Sequence, residues 1–297
     1  RAHVRTSRAK KSRYDAYTNL LRATTEAMAA AIGGCDRLAV EPAGFAAHLA
    51  ANLQHVLREE AHLGEVIDPA AGSYYIEALT DGLASAAWAL FQQVEAAGGY
   101  ARYVASGALA EAVGGARAAR EKAIASRRRT LVGVNNYPNG MEDGPTREPM
   151  PPEEDGPVPP WRMAAPFERI RHRTERHAAA TGHVPSVLLL THGDVKMRMA
   201  RANFSRNFFG CAGFTVTEAA DLAPADLVVL CSADTEYLAL AQDVVPRTPA
   251  PVVVAGNPVD HLEALRAAGV AGFIHLGSDI IATLGEWQDR LGMEAGR

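Results

Sequence analysis

At 297 residues, with 48% apolar and 22% charged residues and a formal net charge of -4, the chain is long enough for two domains that each bury a core. That balance gives no global bias towards nucleic acid or a membrane surface, and no apolar run approaches a membrane span. Cys35, Cys211 and Cys231 are far apart and lack metal-ligand spacing, which suits buried thiols in a reducing, cytoplasmic setting.

The first residues read as the middle of a longer protein. Arg1, Arg5, Arg8, Lys10, Lys11 and Arg13 occur without an acid, and no amphipathic helix accompanies them, so a solvated or partner-facing loop is expected. A helix follows from Tyr14, with Tyr17, Leu20, Leu21, Thr24, Ala27, Met28 and Ala31 on one face and Gly33-Gly34 as its stop. A short strand at 37–40 and a second helix at about 45–61 come next. His48, His55 and His62 lie on or just beyond that helix at seven-residue spacing. Two helical turns separate neighbours by about 10 Å, too far to share an ion, so they are expected at the surface or an interface.

Residues 64–75 form a turn-rich crossing marked by Asp68-Pro69 and Gly72-Ser73. A helix at about 80–97 is expected to bury Leu83, Ala86, Ala87, Leu90, Phe91 and Val94, and an alanine-rich helix at about 109–126 follows. Arg127, Arg128 and Arg129 read as a solvated edge before a short strand at 131–134; nucleic-acid binding is not expected, because no aromatic platform accompanies the charge. Eight of the seventeen prolines lie between Pro138 and Trp161, interleaved with acids, and mark an extended linker.

After a helix at about 166–180, the apolar run 187–190 reads as a buried parallel strand. It leads through Thr191-His192-Gly193-Asp194 into a helix at about 195–209 and a strand at 214–216. Strands at 227–231, 252–255 and 273–276 alternate with helices from about 234, at 259–267 and ending near 291. Five such strands make a doubly wound sheet, flavodoxin-like by pattern, whose ligands sit at the carboxyl ends of the strands. A phosphoacceptor domain on this pattern would use Asp194 and Asp234, but His275-Leu276-Gly277 offers no lysine where one is needed.

The loop after the strand at 187–190 resembles the cobalamin-binding domain of methylmalonyl-CoA mutases, whose Asp-x-His-x-x-Gly motif supplies a histidine to cobalt. Here Asp194 is kept, Lys196 stands for the histidine and Met199 for the glycine. An imidazole nitrogen has a lone pair to donate, whereas a lysine ammonium has none; glycine lets a bulky ligand tail approach the backbone, whereas methionine fills that space. Lys196 is expected either to pair with Asp194 or to face solvent. The family's other two loops, Ser-x-Leu and Gly-Gly, correspond to Cys231-Ser232-Ala233 and Ala255-Gly256. All three signatures are altered together.

The resemblance extends over nearly the whole chain, through YDAYTNLLRATTEAMAAAIGG, DPAAGSYYIEALTD, RRRTLVGVNNYPN and the stretch from Lys196 to Phe214, and is closest to small subunits of heterodimeric methylmalonyl-CoA mutases. It implies the C-terminal part of a (β/α)8 barrel at 1–63, post-barrel helices at 64–137, a linker at 138–161 and a degenerate cobalamin-binding-like domain at 162–297. It also implies a non-catalytic partner of a large subunit that holds adenosylcobalamin and interconverts methylmalonyl-CoA and succinyl-CoA. The positions Asp194, Lys196, Met199, Ser232 and Gly256 would then be vestigial, with no catalytic residue, metal or cofactor on this chain. Two other readings remain: a divergent catalytic acyl-CoA mutase that still binds cobalamin, either base-on or through His192, and a free-standing binding module.

Overall fold

A computed structural model of the chain describes residues 1–140 and 161–294. These fall into two compact units, one of residues 1–121 and 161–163, the other of 122–140 and 164–294. The chain is mixed α/β with a parallel sheet, as the alternation of elements implies.

The first unit opens with a strand, helix, strand motif: β1 (His3–Arg5), α1 (Ala16–Ile32) and β2 (Arg37–Ala39), the two strands paired in parallel. Asp15 caps α1 by accepting the Thr18 N–H at 3.0 Å, and the helix stops at Gly33, followed by Gly34 at φ 72°. The buried face of α1 is Asn19, Ala23 and Ala27, whereas Tyr17 and Leu21 of the expected stripe are exposed. The small side chains let α1 approach a cluster that includes Val40, Phe45, Leu53 and Leu57. Burying Asn19 is tolerated because its amide donates to the carbonyls of Ser12 and Ala43, while its oxygen accepts from the Ser12 N–H.

The basic arm is not a solvated loop throughout. Lys11 is 2% exposed and lies 3.0 Å from the Glu26 carboxylate, and Arg8 contacts Glu41 at 2.9 Å. Burial pushes the Lys11 amine below its ordinary pKa, with Glu26 opposing. An ammonium at that depth needs its partner.

α2 (Ala47–His55) runs into a π-helical turn at Val56–Glu60. His48 and His55 are exposed, and His62 contacts Glu65 at 2.8 Å. α3 (Tyr74–Ala96) begins at Tyr74 instead of near 80 and buries none of its residues: Leu83, Leu90 and Phe91, expected inside, are at least half exposed. Its apolar residues spread around much of the circumference, and among the described residues nothing covers them. α4 (Tyr100–Ala105) and α5 (Ala108–Ala125) follow, the last residues of α5 belonging to the second unit.

In the second unit the strand expected at 131–134 is a turn. Gly133 has φ 79°, and the buried Asn135 accepts the Leu131 N–H at 2.7 Å while donating to the Ile124 and Arg129 carbonyls. Side-chain bonding of this kind competes with a strand ladder. Arg128 and Arg129 are exposed as expected, but the Arg127 guanidinium sits 4.4 Å from the Phe204 ring centre and is partly desolvated. The proline-rich linker lies, from 141 to 160, outside the described residues.

α6 (Ala165–Thr181) precedes the sheet. Its strands are β3 (Ser186–Thr191), β4 (Thr215–Ala219), β5 (Leu227–Cys231), β6 (Val252–Ala255) and β7 (Gly272–Ile274), all parallel, in the order β4-β3-β5-β6-β7. The intervening helices are α7 (Val195–Gly210), α8 (Tyr237–Val244), α9 (Leu262–Ala267) and α10 (Ile280–Arg290). Leu188, Leu190, Val228, Leu230, Val252 and Val254 meet Tyr237, Ala241 and Val244 of α8 and Leu265 of α9. Strand alternation turns Val187, Leu189, Val229 and Cys231 to the other face, where Ser205 of α7 lies 3.9 Å from the Cys231 sulfur. Trp287 of α10 packs so close to Gly272 that a Cβ there would come within 3.0 Å. Gln288 ties α10 to α6 through the Ile170 carbonyl and the Thr174 hydroxyl at 2.7 and 2.9 Å.

Cys211 and Cys231 are buried, and burial pushes each thiol up to about 12, while Cys35 is half-buried. Among the described residues no helix is long and apolar enough to cross a membrane.

Candidate functional site

The strand order places β3 beside β5 while the chain leaves these strands in opposite lateral directions. Their carboxyl ends therefore form a topological switch point, where such sheets receive ligands. Three loops crown it: 192–194 after β3, 232–236 after β5, and the turn at Gly256 after β6.

The first loop is set by two local requirements. Gly193 adopts φ 70°, a region other residues enter only with strain. Asp194 then caps α7, its side chain accepting the Met197 N–H at 2.8 Å. With its carboxylate used in this way, Asp194 forms no ion pair with Lys196 among the described residues, and Lys196 is exposed, as are Met199 and His192. The pairing weighed above is thus replaced by a helix cap and a solvent-facing lysine.

The second loop turns back onto the first. Ser232 is wholly buried, and its hydroxyl reaches both the Glu236 carboxylate and, at 3.0 Å, the His192 carbonyl, with one proton to give to either acceptor. The same carboxylate accepts the Ala233 N–H at 3.3 Å. These bonds, the Ser232 hydroxyl first, then Ala233 and a backbone bond from Asp194, with His192 nearby, hold the Glu236 carboxyl below the usual carboxylate range.

The third loop is joined to the second by Tyr237, whose phenol donates to the Ala255 carbonyl at 2.6 Å and accepts the Ser232 N–H at 3.3 Å. Burial pushes that phenol's pKa up. Arg201 of α7 contacts Asp234 at 2.9 Å, and a Cβ on Gly256 would meet Asp234 at 3.2 Å and Tyr237 at 3.3 Å.

Of the positions singled out in the sequence, His192, Asp194, Ser232, Asp234 and Gly256 lie in the three loops, while Lys196 and Met199 lie exposed on the first turns of α7. Sequence reasoning missed Glu236, Tyr237 and Arg201, and weighed Asp234 only as a phosphoacceptor acid. One signal was present, since Ser232 and Glu236 are four apart at a helix start, a spacing that lets a carboxylate reach back to a loop. A separate groove of about 800 Å³, lined in part by Arg171, Arg206, Asn207 and Phe214, contains none of the crown residues.

These features define a mixed α/β protein with a parallel sheet and a switch point between β3 and β5. The Methylmalonyl-CoA mutase family profile matches residues 1–158. The methylmalonyl-CoA mutase small subunit of Porphyromonas gingivalis is 37% identical over 98% of this chain and 51% of its own length. That of Streptomyces virginiae is 33% identical over 99% of the chain and 50% of its own length. A methylmalonyl-CoA mutase of Escherichia coli is 34% identical over 69% of the chain and 29% of its own length. The chain belongs to the methylmalonyl-CoA mutase family. It spans about half the length of the small subunits it matches.

Proposed function

We propose that this chain is part of the small subunit of a cytoplasmic heterodimeric methylmalonyl-CoA mutase. It is the structural partner of a large subunit that binds adenosylcobalamin and carries out the radical rearrangement between methylmalonyl-CoA and succinyl-CoA. In this reading residues 1–63 are the C-terminal piece of a (β/α)8 barrel and 64–137 its post-barrel helices. Residues 138–161 are a linker, and 162–297 a flavodoxin-like domain of cobalamin-binding type that holds no cofactor.

The observation that carries the reading is Lys196. By the resemblance of its loop it takes the place of the family's cobalt-ligating histidine, and it is exposed at the start of α7. An ammonium has no lone pair for cobalt, so the donor set does not suit the cofactor. The curated small subunits, matched over nearly the whole chain, support the assignment to a two-subunit enzyme.

Mixing the full chain with a mutase large subunit and measuring mass by light scattering tests the reading. A one-to-one complex, with adenosylcobalamin bound once per complex, is expected. A chain that stays separate, or a complex with two bound cofactors, would contradict it.

A further inference from the structure

Losing a ligand and losing a cavity are different ways to lose a cofactor, and the crown bears on the second. We propose that Glu236 fills the crevice between the loops after β3 and β5, so that this chain excludes a cofactor by occupying the site as well as by lacking the histidine. The proposal rests on the reading that the chain leaves cobalamin to its partner, and it names the residue that makes the exclusion steric.

Three observations place Glu236 there. A methyl group built on Gly193 would land on the Glu236 carboxylate, so the side chain lies directly against the backbone of the first loop, in the space that this glycine leaves open. The carboxylate is held within its own loop by the Ser232 hydroxyl and the Ala233 N–H, which restricts the side chain, partly exposed, to the side of that loop that meets Gly193. The same Ser232 hydroxyl lies 3.0 Å from the His192 carbonyl, so the two loops approach each other beside the carboxylate. Met199, which the sequence suggested as the space-filler, is 55% exposed and does not have that role. A carboxylate holding several charge-assisted bonds is costly to displace by a ligand that cannot remake them.

The test titrates hydroxocobalamin into the full chain and follows visible absorption and heat. Lys196→His with Met199→Gly restores the ligand and the glycine but leaves the crevice filled; no saturable binding is expected. Adding Glu236→Ala should produce saturable, histidine-ligated binding, roughly tenfold or more tighter than the weakest binding the titration can resolve. Glu236→Gln in the same background keeps the volume and should stay silent. Should the alanine variant fail to fold, Glu236→Ser offers a hydroxyl to the same loop while withdrawing the carboxylate, and binding is expected there too.

Binding by the Lys196→His, Met199→Gly variant as tight as with Glu236 removed would overturn the proposal and leave the proposed function standing. Silence of the folded alanine or serine variant would overturn it as well. Binding by the unsubstituted chain would overturn both.

Discussion

α3 and β5 are both rich in apolar residues, yet they end at opposite extremes of burial. All five residues of β5 are 0% exposed, whereas α3 buries none of its 23. β5 has a hydrogen-bonded strand on each side and helices on both faces, so apolar side chains on both faces of the strand find partners. α3 meets no such surroundings among the described residues. Apolarity alone thus sets the demand for burial, and tertiary neighbours decide whether it is met.

The contrast can be broken at its strong end first. Val229→Asp places an unpaired carboxylate in the centre of the sheet and should cost about 4 kcal/mol or more, abolishing the cooperative unfolding of the second unit in urea. Gly193→Ala imposes a left-handed backbone on alanine and drives its methyl into Glu236, for an expected loss of about 2 kcal/mol in the same assay. Asp194→Ala removes the α7 cap and should cost about 1 kcal/mol.

Acid should weaken the second unit through Asp226. Burial raises its pKa, but hydrogen bonds from Ser186 and His183 outweigh that and leave it below the ordinary 3.8. The stabilisation is therefore present above the unfolded value and is lost as pH falls through the lower folded value. Asp226→Asn should flatten this acid limb in a denaturation series between pH 5 and 2. Smallest of all, Leu83→Gln on α3 should change the stability of the chain by less than about 0.5 kcal/mol, because the side chain is 63% exposed. A large loss there would mean that α3 is covered after all.

Where sequence and structure agree, the cause is local. β5 and β6 have the expected bounds because unbroken runs of branched apolar residues leave a buried strand few alternatives. The turn at 131–135 could not be read the same way, since Leu131, Val132 and Val134 imitate a strand. The deciding groups are Gly133 and the Asn135 amide, which reaches back to Ile124. Lys11 shows the same limit: its charge suggested solvent, and only the folded chain brings Glu26 to it.

At the crown, the loops themselves were legible because each follows an unbroken apolar run that reads as a buried strand. The side chain that fills the crevice was not, because Glu236 lies outside the motif and its role comes from the approach of two loops 40 residues apart, measured from His192 to Ser232.

The most direct test of the central claim is a visible-absorption titration of the full unsubstituted chain, without a partner, against adenosylcobalamin. The account predicts a spectrum equal to the sum of free protein and free cofactor throughout. A histidine-ligated spectrum from the chain alone would contradict it and point to His192 as the ligand.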